Sequence, residues 1–139
     1  MGVQKVIVPS LEPEEAERLS PLVLAYVGDA VYELYVRGSL LRQGHGPGGL
    51  HAACVRWVSA VGQERVWLAM EPALTETEAR IARRGRNAKG IVPQGVGPGT
   101  YRRSTALEAL VGYLYLTGQE ERLVSLLSQA FAAVEEGSV

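Results

Sequence analysis

Two carboxylates stand apart from the other acidic residues of this chain. Asp29, its only aspartate, lies beside Gly28 in the middle of a long apolar stretch, residues 22–37. Glu108 is the only charge in a second apolar stretch, residues 106–116. A carboxylate buried without a partner gives up its charge or binds a cation. If the two stretches are helices packed side by side, the acids converge. Two carboxylates with waters and substrate phosphates form a typical Mg²⁺ environment. Between Glu78 and Glu108 there is no acid, yet the interval holds Arg80, Arg83, Arg84, Arg86, Lys89, Arg102 and Arg103, half of the 14 basic residues. With a net charge of only −1, such a local patch is the footprint of a phosphate-bearing partner. Carboxylates for a metal and arginines for phosphate together suit phosphodiester hydrolysis. Plain structural readings stand beside this one. Asp29 can be a satisfied polar residue bonded to another helix end, and a basic run is commonly a solvated face. Glu33 and Arg37 are spaced as a helical i,i+4 pair with the favoured orientation.

The elements that must position these residues are helices. Ser20 is a good N-cap and Pro21 suits the first helical position, so a core helix is expected from there to about Leu41. Along it Ala25, Asp29, Glu33 and Arg37 fall on one face. Residues 43–49, with four glycines and a proline, read as a loop. From Leu50, the apolar residues Cys54, Trp57, Val58, Val61 and Leu68 keep helical spacing, and Pro72 closes the run. Trp57 and Trp67 are core or interface rings, and His51 is a surface or cap residue. Thr75-Glu-Thr-Glu78 is a capping box opening a further helix that ends near Gly85 in a basic turn. Residues 90–100 hold four glycines and two prolines and read as a mobile loop, after which Ser104 or Thr105 caps the Glu108 helix. A last amphipathic helix carries Leu123, Leu126, Leu127, Ala130, Phe131 and Val134. No alternating strand pattern and no repeat is present, so the expectation is an all-α bundle of five or six helices. Residues 1–19 read as a leader and residues 136–139 as a frayed tail.

Composition sets the outer bounds. The length of 139 residues fits one domain, and 47% apolar with 21% charged residues is ordinary for a globular protein. One cysteine, Cys54, excludes an internal disulfide and a multi-cysteine zinc site. The first nine residues hold no apolar run long enough for a signal peptide, and no stretch is apolar enough to span a bilayer. A cytoplasmic protein without a membrane partner is expected.

The run Tyr-Val-Gly-Asp-Ala-Val at 26–31 resembles the signature of the ribonuclease III family, and residues 106–116 resemble that family's second motif with its terminal glutamate. Residues 24–33, Arg84-Gly-Arg-Asn-Ala-Lys89, and Tyr101-Arg with Ser104-Thr105 ahead of Glu108 resemble, in order, the short Mini-III branch. That branch has the catalytic domain and no double-stranded RNA-binding domain. The resemblance covers roughly residues 20–130.

The resemblance implies a ribonuclease III endonuclease-domain-like helical bundle over residues 20–135, acting as a homodimer on double-stranded RNA. It implies Mg²⁺ as cofactor, with Mn²⁺ able to stand in, and precursor 23S ribosomal RNA as substrate, with a ribosomal protein as a candidate helper. Asp29 and Glu108 take the catalytic and metal-binding roles, and Tyr26 the place of a dimer contact. Arg83, Arg84, Arg86, Asn87, Lys89, Arg102 and Arg103 are the expected RNA contacts. The longer enzymes carry two more acids, where this chain has Ala25 and Thr105. That thinning matches Mini-III and leaves Glu33 and Thr105 as outer-shell candidates. The alternative is a non-catalytic double-stranded RNA-binding module in which the acids are structural. A third reading is an all-α domain whose basic turn meets an acidic protein.

Overall fold

The computed structural model describes residues 7–137, and every regular element among them is helical. Seven α-helices follow in order: α1 (Pro13–Glu17), α2 (Pro21–Leu40), α3 (Pro47–Val58), α4 (Ala60–Met70), α5 (Glu76–Asn87), α6 (Pro98–Leu116) and α7 (Glu120–Gly137). Short 3₁₀ turns, Leu41–Gln43 and Glu71–Ala73, extend α2 and α4.

Helix α2 starts as its sequence dictates, with Pro21 in the first turn and the Ser20 side chain accepting from the Leu22 N–H at 3.2 Å. It is not buried all round. Leu24, Ala25, Gly28, Tyr32, Val36 and Leu40 form the inward stripe, while Val23, Tyr26, Leu34 and Leu41 point outward and are exposed. The helix with packing on nearly every side is α6, whose residues from Ser104 to Leu116 are almost all buried. It lies against α2, α4, α5 and α7.

Two boundaries differ from those expected. Helix α6 begins at Pro98, after Gly97, so Ser104 and Thr105 sit in its interior and do not cap it. Their hydroxyls donate back to the Tyr101 carbonyl at 2.8 and 2.9 Å, which lets two polar residues lie in a buried helix. The run from Leu50 to Leu68 is two helices. Ser59 adopts an extended backbone, and its side chain accepts from the Gly62 N–H at 3.1 Å, capping α4.

Part of the expected leader is packed. Ala16 is fully buried and the Leu11 N–H donates to the Leu116 carbonyl at 2.7 Å. Residues 1–6 of that leader, and 138–139 of the expected tail, lie outside the described residues. Glu136 and Gly137 of that tail are helical. The capping box forms as read, and its Glu78 also accepts two bonds of 2.9 Å from Arg122, joining α5 to α7.

The site depends on the crossing of α2 and α6. A Cβ on Gly28 would lie 1.7 Å from the Glu108 carbonyl oxygen, and a Cβ on Gly112 would lie 2.0 Å from the Leu24 carbonyl oxygen. Only glycine at both positions allows main chain to meet main chain. Gly28→Ala or Gly112→Ala forces the helices apart and should destabilise the fold by about 3 kcal/mol or more. Gly38→Ala, with nothing within 4 Å of the added carbon, should be neutral or stabilise by about 0.5–1 kcal/mol. Urea denaturation of the three variants checks both expectations.

Candidate active site

Gly28 and Glu108 touch through their backbones, so Asp29 and Glu108 emerge from the same crossing. Their carboxyl groups are within hydrogen-bond reach of each other. Asp29 is exposed and opens the pair to solvent, while Glu108 is half-buried. Burial, and then the Asp29 carboxyl beside it, push the Glu108 carboxyl up to about 8; a hydrogen bond from Gln63 opposes this. A divalent cation at the pair would offset both the burial and the repulsion that favour the protonated carboxyl. Among the described residues no group of three or more His, Cys, Asp or Glu side chains could hold a metal. The chain therefore offers two carboxylates, and the remaining positions are open to water and substrate, which fits Mg²⁺ better than a metal that wants an all-protein cage.

The two outer-shell candidates lie elsewhere in their bonding. Glu33 pairs with Arg37 at 3.5 Å, one turn beyond Asp29. The Thr105 hydroxyl is committed to the Tyr101 carbonyl, and the residue is buried. Gln63, on α4, was not singled out from sequence. Its neighbours Val61, Glu64 and Arg65 look like a mixed surface, and reading α3 and α4 as one helix gives residue 63 the wrong facing.

The basic residues divide into two groups. Arg86, Asn87, Lys89, Arg102 and Arg103 line one open groove of about 660 Å³, with Tyr101 in its wall. Arg86 and Asn87 come from the last turn of α5, Arg102 and Arg103 from the second turn of α6. At 1.5 Å per residue, Arg102 lies roughly 9 Å along α6 from Glu108. Arg103 is held by Glu64 at 2.6 Å. Arg84 faces the other way and donates to the Glu17 and Leu19 carbonyls at 2.8 and 3.5 Å. It fastens α5 to the end of α1, beside the Arg80–Glu17 ion pair. Arg83 is exposed and is not among the groove residues. Tyr26 is 83% exposed on the outer face of α2.

An all-α bundle with two acids at a helix crossing and a basic groove one helix turn or two away has the parts of a metal-dependent nuclease. The ribonuclease III domain model matches residues 22–119 of the chain. A Mini-ribonuclease 3 from Symbiobacterium thermophilum is 49% identical over 121 residues, covering 86% of this chain and 93% of that protein. One from Brevibacillus brevis is 48% identical over 118 residues, covering 84% and 88%. Among solved structures, the crystal structure of a Fusobacterium nucleatum protein superposes with a TM-score of 0.74 at 30% identity, covering 78% of this chain and 90% of that one. The chain belongs to the ribonuclease III family and to its Mini-III branch. Its class is thus endoribonuclease, in a family that generally depends on divalent metal. No helix among the described residues is long and apolar enough to cross a membrane.

The raised Glu108 carboxyl gives a pH dependence with a definite sign. Between its ordinary value of 4.5 and about 8, the folded chain keeps a proton that the unfolded chain has released. Stability is therefore greatest below that window and falls as pH rises through it. Metal-free protein should lose on the order of 1–2 kcal/mol between pH 5.5 and 8.5, after allowance for partial solvent access. Glu108→Gln should flatten the curve. Thermal unfolding across that pH range, in the presence of a chelator, is the check.

Proposed function

We propose that this chain is a Mg²⁺-dependent endoribonuclease that cuts double-stranded RNA as a homodimer, leaving a 5′-phosphate. The observation that carries the reading is the meeting of Asp29 and Glu108 at the α2–α6 crossing, with a basic groove further along α6. Asp29 and Glu108 would hold the cation. When bound, it supplies positive charge to the scissile phosphate and lowers the pKa of a water. The chain's own residues hold the duplex in place. Arg86, Lys89 and Arg102 present charge to the RNA backbone, and Asn87 offers an amide to a phosphate or a 2′-hydroxyl. The deep major groove of A-form RNA hides base edges, so a basic groove of this kind reads shape and backbone.

The dimer reading rests on the outer face of α2. Val23, Tyr26 and Leu34, with Leu41 of the following 3₁₀ turn, are large apolar side chains exposed on that face. The face runs into an apolar groove of about 520 Å³ lined by Leu34, Leu41, Pro47, Leu50 and Cys54. Such a face on a domain this small suits a self-complementary two-fold contact. A two-fold dimer doubles the basic surface presented to one duplex. The resemblance to the Mini-III branch carries the finer substrate, the paired ends of precursor 23S ribosomal RNA in the cytoplasm.

Asp29→Asn should lower duplex cleavage by at least about 100-fold while leaving fold and RNA binding intact, and a chelator should stop the wild-type enzyme. Gel analysis of long duplex RNA after incubation shows this directly. Cleavage by Asp29→Asn at the normal rate would remove the acid pair from the chemistry, and binding without products by the wild type would leave a non-catalytic clamp.

The division of the arginines predicts two different phenotypes. Arg86→Ala should weaken RNA binding and reduce the slope of log K against log salt by about one. Arg84→Ala should leave that slope unchanged and cost roughly 1–3 kcal/mol of stability, because the Glu17 and Leu19 carbonyls lose a charged donor. Binding isotherms at several salt concentrations, with denaturation curves for each variant, separate the two roles.

A further inference from the structure

Helix α6 starts without a side-chain cap, since its N-cap is Gly97 and Pro98 and Gly99 follow. Yet its first turns carry Tyr101, Arg102 and Arg103 of the groove wall. Glu64 of α4 fastens them. Its Oε1 accepts from the Thr100 hydroxyl at 3.2 Å, and its Oε2 accepts from Nη1 of Arg103 at 2.6 Å. Thr100 and Arg103 are three residues apart and share a face of α6, so one carboxylate holds two successive turns. Its charge is also favourable beside a helix N-terminus. Arg103 folds back over the first turn, where a Cβ on Gly99 would lie 3.4 Å from Nη1.

By charge alone Glu64 is out of place. None of the residues lining the groove is acidic, and a carboxylate bonded to a groove arginine subtracts from the positive field offered to RNA. The geometry supplies a reason for it. The contact is made through Nη1. A guanidinium is a planar fork, so fixing one nitrogen fixes the direction of the others. The Arg103 side chain stays 44% exposed against 19% for Glu64, so the acid is sheltered and the arginine keeps an open edge. We infer that Glu64 is a positioning residue for RNA binding, anchoring Arg103 by one nitrogen so that its remaining nitrogens meet a backbone phosphate. The inference rests on the reading of the groove as the RNA surface. An arginine already held when the duplex arrives loses less side-chain freedom on binding, and that gain offsets the charge given up to Glu64.

The sign of one substitution separates this role from a plain surface ion pair. Removing an acid beside a phosphate site should tighten binding if charge alone matters. Positioning predicts the reverse. Glu64→Ala should weaken binding of the full chain to a short RNA duplex, measured with a chelator at about 0.15 M salt, by about three- to tenfold. Glu64→Gln, which keeps an acceptor for Arg103, should restore it. With Mg²⁺ present, Glu64→Ala should raise KM by the same factor and leave kcat unchanged. In an Arg103→Ala background Glu64→Ala should no longer weaken binding. Arg103→Lys keeps the charge and loses the fork, so it should weaken binding with the salt slope unchanged, and it decides the matter where Glu64→Ala fails to fold. Duplex binding by Glu64→Ala as tight as wild type or tighter, an equal loss in the Arg103→Ala background, or wild-type affinity in Arg103→Lys would overturn the role of Glu64. A wild-type protein that binds no duplex RNA would overturn the groove reading instead.

Discussion

The contact on which the rest depends is one of main chain against main chain. Gly28 of α2 rests on the carbonyl of Glu108, and Gly112 of α6 rests on the carbonyl of Leu24. Four residues separate the glycine from its paired carbonyl on each helix, so the two contacts are one helical turn apart and fix both the distance and the angle of crossing. Side chains elsewhere in the core can adjust by changing rotamer. A backbone-to-backbone seat cannot, because there is no torsion to absorb a misfit. The acids are placed by this seat directly. Asp29 follows Gly28 in sequence, and Glu108 supplies the carbonyl that Gly28 touches. The relative placement of the two acids is thus inherited from a backbone-to-backbone contact.

Bringing two carboxyls to one crossing is unfavourable by itself, and the surroundings make it tolerable without cancelling it. Asp29 is exposed and Glu108 is half-buried, and burial, then the neighbouring Asp29 carboxyl, push the Glu108 carboxyl up to about 8. Among the described residues no arginine or lysine forms an ion pair with either acid. The nearest cationic side chains on α6, Arg102 and Arg103, face the groove, and Arg103 is restrained by Glu64. A cationic partner at the acids would stabilise the empty fold and weaken a metal. Its absence leaves the pair to a cation.

Much of this was legible in the sequence where local chemistry decides structure. Ser20-Pro21 and the Thr75–Glu78 box act over three or four residues and formed as read. The lone acids of two apolar helices came together because such helices must find one another to bury their faces. What stayed hidden depends on facing and on distant partners. Thr105 looks like a cap until α6 is seen to start at Pro98, where the Gly97-Pro98 pair is the stronger signal. Gln63 is invisible while α3 and α4 are taken as one helix, since the break at Ser59 resets the register. Arg84 and Arg86 are two residues apart, and no local rule tells which turns to the groove and which to α1. The exposed face of α2 reads as core in the sequence, because hydrophobicity records burial without saying against what.

The crossing also sets what can stand one turn before each acid. Ala25 precedes Asp29 by one turn of α2, and Thr105 precedes Glu108 by one turn of α6. In this structure both positions are buried, Ala25 on the inward stripe of α2 and Thr105 in the interior of α6. A carboxylate at either place would have to be desolvated inside the helix packing or push the helices apart. Small residues there let the Gly28–Gly112 seat close. The small buried residues at 25 and 105 and the glycines at 28 and 112 thus belong to one arrangement, which lets the helices close and leaves Asp29 and Glu108 at the rim.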